Sequence, residues 1–306
     1  MEYQKFKNIV KLGRALAHAA MLVYFLGILF AVVIGSSFDV YKVVLGYAIV
    51  FTSVLATGYT NNYYDSSLDK FATQTAFSGG SDVLSKHPEL RPTIRTIIVF
   101  LYSLSIVLGF AFTVIFSYPV TFFVFVVVAN FIGLSYSAPP LKLVYRGFGE
   151  IVTMLGASFL LAGSGYFVMM RTIDVSFVLF ALPLLLFGFA VSFYLEIPDR
   201  NADRQGRKIT LVVLRGERFG FIVGAVSLGL ATLCYVIFSL YHVFSGAVNF
   251  LPITALSLIP LIIGVWGLRE YIADKTKMMT IVFRATACIF LMWILMDVYF
   301  VFVILT

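Results

Sequence analysis

Charge is scarce in this chain: 12% of its 306 residues are Asp, Glu, Lys or Arg, while 61% are hydrophobic. That ratio excludes a soluble globular domain, because one core cannot bury so much apolar surface and lipid must act as the solvent. Acids are fewer than bases, 15 against 22, yet no basic groove for nucleic acid follows. The bases sit in short gaps between long apolar runs, which is the pattern of membrane orientation. Cysteine is nearly missing, and Cys234 and Cys288 both fall inside apolar runs, which excludes a disulfide framework or a cysteine metal pair. Gly79-Gly80 lacks the strand-to-helix context of a nucleotide loop. Met1 to Arg14 is a basic amphipathic stretch without the pattern of a cleavable signal, so the first apolar run is expected to be a permanent helix.

Apolar runs are what the chain has in abundance. A helix of about 20 such residues crosses the ~30 Å hydrocarbon layer, and only helices satisfy every backbone group of a polytopic chain in lipid. Nine runs occur, near 16–34, 41–60, 96–116, 119–136, 149–170, 175–195, 219–241, 249–267 and 284–304. The N-terminal segment and the gaps after the second, fourth, sixth and eighth runs hold 4, 4, 2, 6 and 4 Lys or Arg, counting Arg284 at the edge of the last run. The alternate gaps hold only Lys42 and Arg171. This alternation predicts nine spans with the N-terminus in the cytoplasm and the C-terminus outside.

Two acidic motifs lie on the basic face. The second run leads into Asn61-Asn62-Tyr63-Tyr64-Asp65-Ser66-Ser67-Leu68-Asp69, and the sixth into Glu196-Ile197-Pro198-Asp199-Arg200-Asn201-Ala202-Asp203. On a helix, four-residue spacing aligns Asn61, Asp65 and Asp69 on one face, and Asp199 with Asp203 on another. Carboxylates so close repel unless a cation lies between them. An all-oxygen donor set favours Mg²⁺, which takes one or two carboxylates plus substrate phosphates. Lys142, Arg146, Arg200, Arg204, Arg207 and Lys208 stand ready to neutralise a diphosphate of roughly −3. Glu150, at the start of the fifth span, suits the helix dipole, whereas Asp82, Glu89, Glu196 and Glu217 read as solvated loop acids. His18 and Asp297 lie within spans and need polar partners or a cavity there.

These motifs resemble those of the UbiA superfamily of intramembrane prenyltransferases, whose aspartate-rich motifs follow the second and sixth of nine helices. Asn61-x-x-x-Asp65-x-x-x-Asp69 is similar to the first motif, Asp199-x-x-x-Asp203 to the second, and Tyr136-Ser137-Ala138-Pro139-Pro140-Leu141-Lys142 to a stretch whose Tyr and Lys contact diphosphate. Ser78-Gly79-Gly80-Ser81 with Leu84, Tyr145-Arg146-Gly147 and Gly206-Arg207-Lys208-Ile209-Thr210-Leu211 look most like the menaquinone-synthesis branch, which implies dihydroxynaphthoate as acceptor. The family often has Asp where Asn62 stands, and Arg-Pro where this chain has Arg14-Ala15.

The resemblance implies an all-α membrane protein, its nine transmembrane helices bundled around a central cavity with lateral access. It would form one domain over 1–306, with cytoplasmic active-site loops at 61–95 and 196–218. Mg²⁺ is expected on Asn61, Asp65, Asp69, Asp199 and Asp203, and diphosphate on Asn61, Lys142, Arg146, Arg207 and Lys208. Asp65, Asp199, Tyr136 and Lys142 would carry the catalysis, with Tyr63, Tyr64 and Tyr194 as further aromatic faces near the motifs. The substrates would be an isoprenyl diphosphate and a lipophilic or aromatic acceptor, taken from the lipid of the cell membrane. Two rival readings are transfer to a glycerol-phosphate lipid precursor, giving an ether lipid, and a transporter. Transporters place their sites near the midplane, whereas these acids crowd one face.

Overall fold

A computed structural model describes residues 2–13, 17–68, 81–244 and 246–306, side chains at 2–4 and 17–20 excepted. Arg14, Asp69 and Ser78-Gly79-Gly80 therefore lie outside the described residues, as does the His18 side chain.

The long apolar runs become helices, in chain order α1 (Glu2–Gly13), α2 (Ala17–Val33), α3 (Val40–Asp65), α4 (Val83–Lys86), α5 (Arg91–Ile115) and α6 (Val120–Ser137). The fifth run forms α7 (Gly149–Met154) and α8 (Leu161–Met170), joined without a break by a π-helical stretch, Leu155–Leu160. Then come α9 (Val175–Gln205), the short α10 (Leu211–Arg215), α11 (Glu217–Tyr241), α12 (Phe250–Ala273) and α13 (Met278–Leu305). Among the described residues, eight of these stretches are long and apolar enough to cross a membrane, and α2 supplies a ninth, shorter apolar helix. The protein is an integral membrane protein. Along α5, Val99, Phe100, Val107, Phe110 and Val114 are all exposed, an apolar stripe that only lipid can cover.

Polar residues start the helices on the face opposite the acidic motifs. Asp39 accepts from the Tyr41 and Lys42 amides ahead of α3, and Asp174 from the Phe177 amide ahead of α9, satisfying donors that the first helical turn leaves orphaned. Inside the bundle α9 is the most enclosed span, with Phe177, Phe180, Leu184, Phe187, Phe193 and Tyr194 all at 0% exposure. It packs on α7, α11 and α13, while α3 packs on α5, α6 and α8.

Helix α1 is the amphipathic stretch expected, and it lies against α3. Tyr59 Oη donates to Ile9 O at 3.1 Å, and Asn62 Nδ2 donates to Leu12 O and Gly58 O, each at 3.0 Å. Asn62 is thus committed to joining two helices. An amide fits that use, because it donates to carbonyls where a carboxylate would repel them.

Candidate active site

Two helices overrun their apolar stretches. Helix α3 continues to Asp65 and α9 to Gln205, past Pro198, so residues 61–65 and 196–205 of the two expected loops are rigid helix carrying the acidic motifs. That gives Asn61 and Asp65 a common face one turn apart, and likewise Asp199 and Asp203.

The connection from α6 to α7 closes onto the end of α3. Pro139 and Pro140, which cannot donate to a helix, end α6 just after Ser137. Ser137 Oγ donates to Asn61 Oδ1 at 3.0 Å. The chain then turns through Lys142 and Gly147, both at positive φ (45° and 83°), and this turn delivers Tyr145. Its hydroxyl donates to Asp65 Oδ1 at 2.7 Å. Burial, and then the Asp65 carboxylate, push the Tyr145 phenol well above its usual range, so it remains a donor. Lys142 Nζ lies 5.3 Å from the Tyr145 ring centroid, and Arg146 is exposed, its Nη2 donating to Pro140 O at 2.8 Å.

From the other side comes the turn after α9. Arg207 at φ 59° reverses the chain, and the Lys208 amide donates back to Asp203 O at 2.9 Å. Lys208 Nζ then stands between the motifs, 2.9 Å from Asp65 Oδ2 and 3.2 Å from Asp203 Oδ1, with its side chain 13% exposed. Burial disfavours its charge, but the carboxylates of Asp65 and Asp203 outweigh that and hold its pKa well above the usual lysine range. Residues 138 positions apart in the chain, Asp65 and Asp203, are thereby joined through one ammonium. Tyr136 lies within electrostatic reach of Lys208, Glu196 and Asp65, and its hydroxyl meets Thr153.

Other expected residues are placed differently. Tyr194 is core: it wedges against Gly224 of α11 and Gly264 of α12, where a Cβ would strike its ring or hydroxyl. Tyr63 is occupied by the Arg91 guanidinium, 4.6 Å from its ring centroid. Of the acids read as solvated, Glu89 is exposed as expected, whereas the others are engaged. Asp82 pairs with Lys11 and Lys86, and Glu217 accepts from Tyr271 Oη at 2.8 Å and pairs with Arg200 at 3.4 Å, bracing the segment that carries Asp199.

Glu150 was legible only as a helix-start acid. It is 0% exposed, accepts from the backbone amide of Leu211 at the start of α10, and packs its carboxyl against that of Glu196, with Lys208 the cation in reach of Glu196. The contact fixes the far end of the Lys208 turn. Glu150→Ala would leave the Leu211 N–H buried and unpaired, a cost of about 1–3 kcal/mol. A lower melting temperature and a raised KM are expected, whereas Glu150→Gln keeps an acceptor oxygen and should restore both. Equal behaviour of the two variants in thermal and kinetic assays would rule this positioning out.

The donor chemistry fits a hard divalent cation. Among the described residues no three His, Cys, Asp or Glu side chains converge to hold a metal by themselves. The Lys208 ammonium is nevertheless a stand-in cation already seated between a carboxylate of each motif. One or two carboxylates per ion, completed by substrate phosphates, is the ordinary coordination of Mg²⁺.

Known proteins resemble the chain in sequence and in fold. The chain is 26% identical over 179 residues to the 1,4-dihydroxy-2-naphthoate octaprenyltransferase of Bacillus subtilis (strain 168), a match covering 58% of this chain and 56% of that protein. Among solved structures it resembles a UbiA homologue from Archaeoglobus fulgidus bound to DMAPP and Mg²⁺, with TM-score 0.65 and 14% identity over 95% of this chain and 99% of that one. It also resembles a digeranylgeranylglyceryl phosphate synthase, with TM-score 0.62 and 14% identity over 97% and 99%. The model of the UbiA prenyltransferase family matches residues 20–295, and the chain belongs to that family.

Proposed function

We propose that this protein is an intramembrane, Mg²⁺-dependent prenyltransferase that moves a polyprenyl group from its diphosphate to an aromatic acceptor of the dihydroxynaphthoate type. The observation that carries the reading is the Asp65–Lys208–Asp203 bridge, which brings the two acidic motifs to one place at one membrane face. The acceptor follows the Bacillus relative and the menaquinone-like stretches around Tyr145 and Lys208. The positive-inside pattern makes this face, with the N-terminus, cytoplasmic.

In the reaction the allylic C–O bond breaks, diphosphate leaves, a bond forms from the allylic carbon to the acceptor, and the acceptor gives up a proton. Asn61, Asp65, Asp199 and Asp203, with Asp69 as a further oxygen donor, would hold Mg²⁺, which would supply charge neutralisation of the leaving group. Lys142, Arg146, Arg207 and Lys208 surround the same diphosphate as donors of charge-assisted hydrogen bonds. Tyr145 orients Asp65 by donating to Oδ1, which leaves Oδ2 turned toward the shared site. The Tyr136 ring offers its face to the developing allylic cation, an attraction of about 0.5 to 2 kcal/mol. The isoprenyl tail would lie among the spans. A 20-carbon tail would cost on the order of 16 kcal/mol to bring into water, so the enzyme works where the lipid already is.

Purified protein incubated with Mg²⁺, labelled geranylgeranyl diphosphate and each acceptor in turn tests the reading. Prenylated naphthoate is expected, and chelation with EDTA should abolish it. An ether lipid made from a glycerol-phosphate acceptor would transfer the assignment to the second acceptor class. Absence of transfer to either would refute prenyl transfer.

A further inference from the structure

The Lys208 ammonium occupies a position that a divalent cation bridging Asp65 and Asp203 would also need. Mg²⁺ binds carboxylate oxygen at about 2.0–2.1 Å. An ion set between these two oxygens would lie against the ammonium, so the observed contacts and a metal bridging that gap exclude each other. The backbone of the turn is well anchored: Lys208 N bonds Asp203 O, Leu211 N bonds Glu150, and Thr210 Oγ1 accepts from the Val213 amide at 3.2 Å. Any displacement of the charge must therefore come from the side chain, and lysine is a point charge on a flexible four-carbon stem, suited to that. Lys208 also leaves its carboxylates at little cost only where another anion takes it, since an unpaired buried charge is costly.

We infer that Lys208 is a built-in competitor for the metal: it holds the two motifs together before substrate arrives, then yields Asp65 and Asp203 to the divalent cation and takes the diphosphate as its new partner. The inference rests on the prenyltransferase reading. It makes metal and diphosphate binding cooperative, each being weak without the other, because one ligand displaces Lys208 and the other receives it. By linkage the enhancement is reciprocal.

Binding of Mn²⁺, read by electron paramagnetic resonance of the free ion, tests this with inorganic pyrophosphate as the second probe. In the wild-type protein pyrophosphate should tighten Mn²⁺ binding about tenfold or more. Lys208→Gln should bind Mn²⁺ alone about tenfold more tightly than wild type and lose most of the pyrophosphate enhancement. Arg215→Gln removes an exposed charge of the same sign from the end of α10, and should change binding of Mn²⁺ alone less than about twofold. Mn²⁺ binding in Lys208→Gln no tighter than wild type overturns the inference. A wild-type measurement guards against misfolding of that variant: reductive methylation of Lys208, followed by mass spectrometry, should be slow without metal, faster with Mn²⁺ alone, and slow again once pyrophosphate is added. A rate indifferent to Mn²⁺ overturns it equally. Asp65→Asn and Asp203→Asn separate the two levels. Mn²⁺ binding that neither weakens removes the metal site and the prenyltransferase reading with it, whereas binding that both weaken but Lys208→Gln leaves unimproved removes the exchange alone.

Discussion

Asp65→Asn is expected to lower kcat for prenyl transfer by about 10³-fold, roughly 4 kcal/mol at 1.36 kcal/mol per decade, with the fold intact. The substitution is nearly isosteric. Its carbonyl oxygen still accepts from the Tyr145 hydroxyl, so the turn through residues 142–147 keeps its anchor. Lys208 retains Asp203, so no buried charge is left alone and the several kcal/mol lost when an ion pair is simply broken do not apply. What disappears is the negative charge at Oδ2, and with it a ligand that matters most as the leaving diphosphate gathers charge. The loss should appear in kcat more than in KM, since an interaction that strengthens toward the transition state is missing. A single-turnover assay alongside a thermal melt decides it. Transfer within tenfold of wild type would mean that Asp65 is a structural partner of Tyr145 and Lys208 and nothing more.

Much of this architecture was readable before any coordinates. Each apolar run encodes its own helix, because lipid leaves a polytopic chain no other spanning structure built from single segments, and among the described residues eight long apolar helices and a ninth, shorter one follow. The carboxylates of the motifs were readable for a similar reason: four-residue spacing is a local property of a helix. Convergence is not local. Glu150 looks in sequence like any acid at a helix start, and the partner that defines it, the Leu211 amide, is 61 residues away and carries no side-chain signature at all. Tyr145 stood in a recognisable stretch, yet only the turn at Lys142 and Gly147 reveals that it reaches Asp65. Lys208 was expected as a phosphate-binding cation and not as a bridge, because bridging depends on two carboxylates from different helices. Tyr194 shows the opposite error. Its closeness to Asp199 along the chain says nothing about the direction of its ring, which two glycines on α11 and α12 admit into the core. The π-helical stretch at Leu155–Leu160 likewise has no Gly-Pro signal to announce it.

Gly165→Ala and Gly27→Ala should each destabilise the protein by about 3 kcal/mol, the upper part of the range for overpacking, although each adds a single methyl group. Lipid tails are as apolar as side chains, so helices in a bilayer associate through close van der Waals packing, which small residues permit. Helices α2 and α8 use that route. A Cβ on Gly165 would fall far inside van der Waals contact distance of the Tyr24 carbonyl oxygen, and one on Gly27 far inside that of the Ala162 carbonyl oxygen. Both obstacles are backbone atoms, so no rotamer change relieves the clash and the helices must part along their whole contact. Parting them would loosen Phe30 from Tyr166, now stacked with centroids 5.9 Å apart, and would disturb the Tyr24 hydroxyl, which donates to Val43 O at 3.0 Å and links α2 to α3. Through α3 the damage reaches Asp65, so activity should fall together with stability. Gly229→Ala is the control, since the nearest atom to its Cβ is Leu261 Cδ1 at 3.8 Å, an ordinary contact. In a helix that replacement is expected to stabilise by roughly 0.5–1 kcal/mol. Thermal melts in one detergent should therefore move in opposite directions for the same chemical change, and similar shifts for Gly165→Ala and Gly229→Ala would disprove the close approach of α2 and α8.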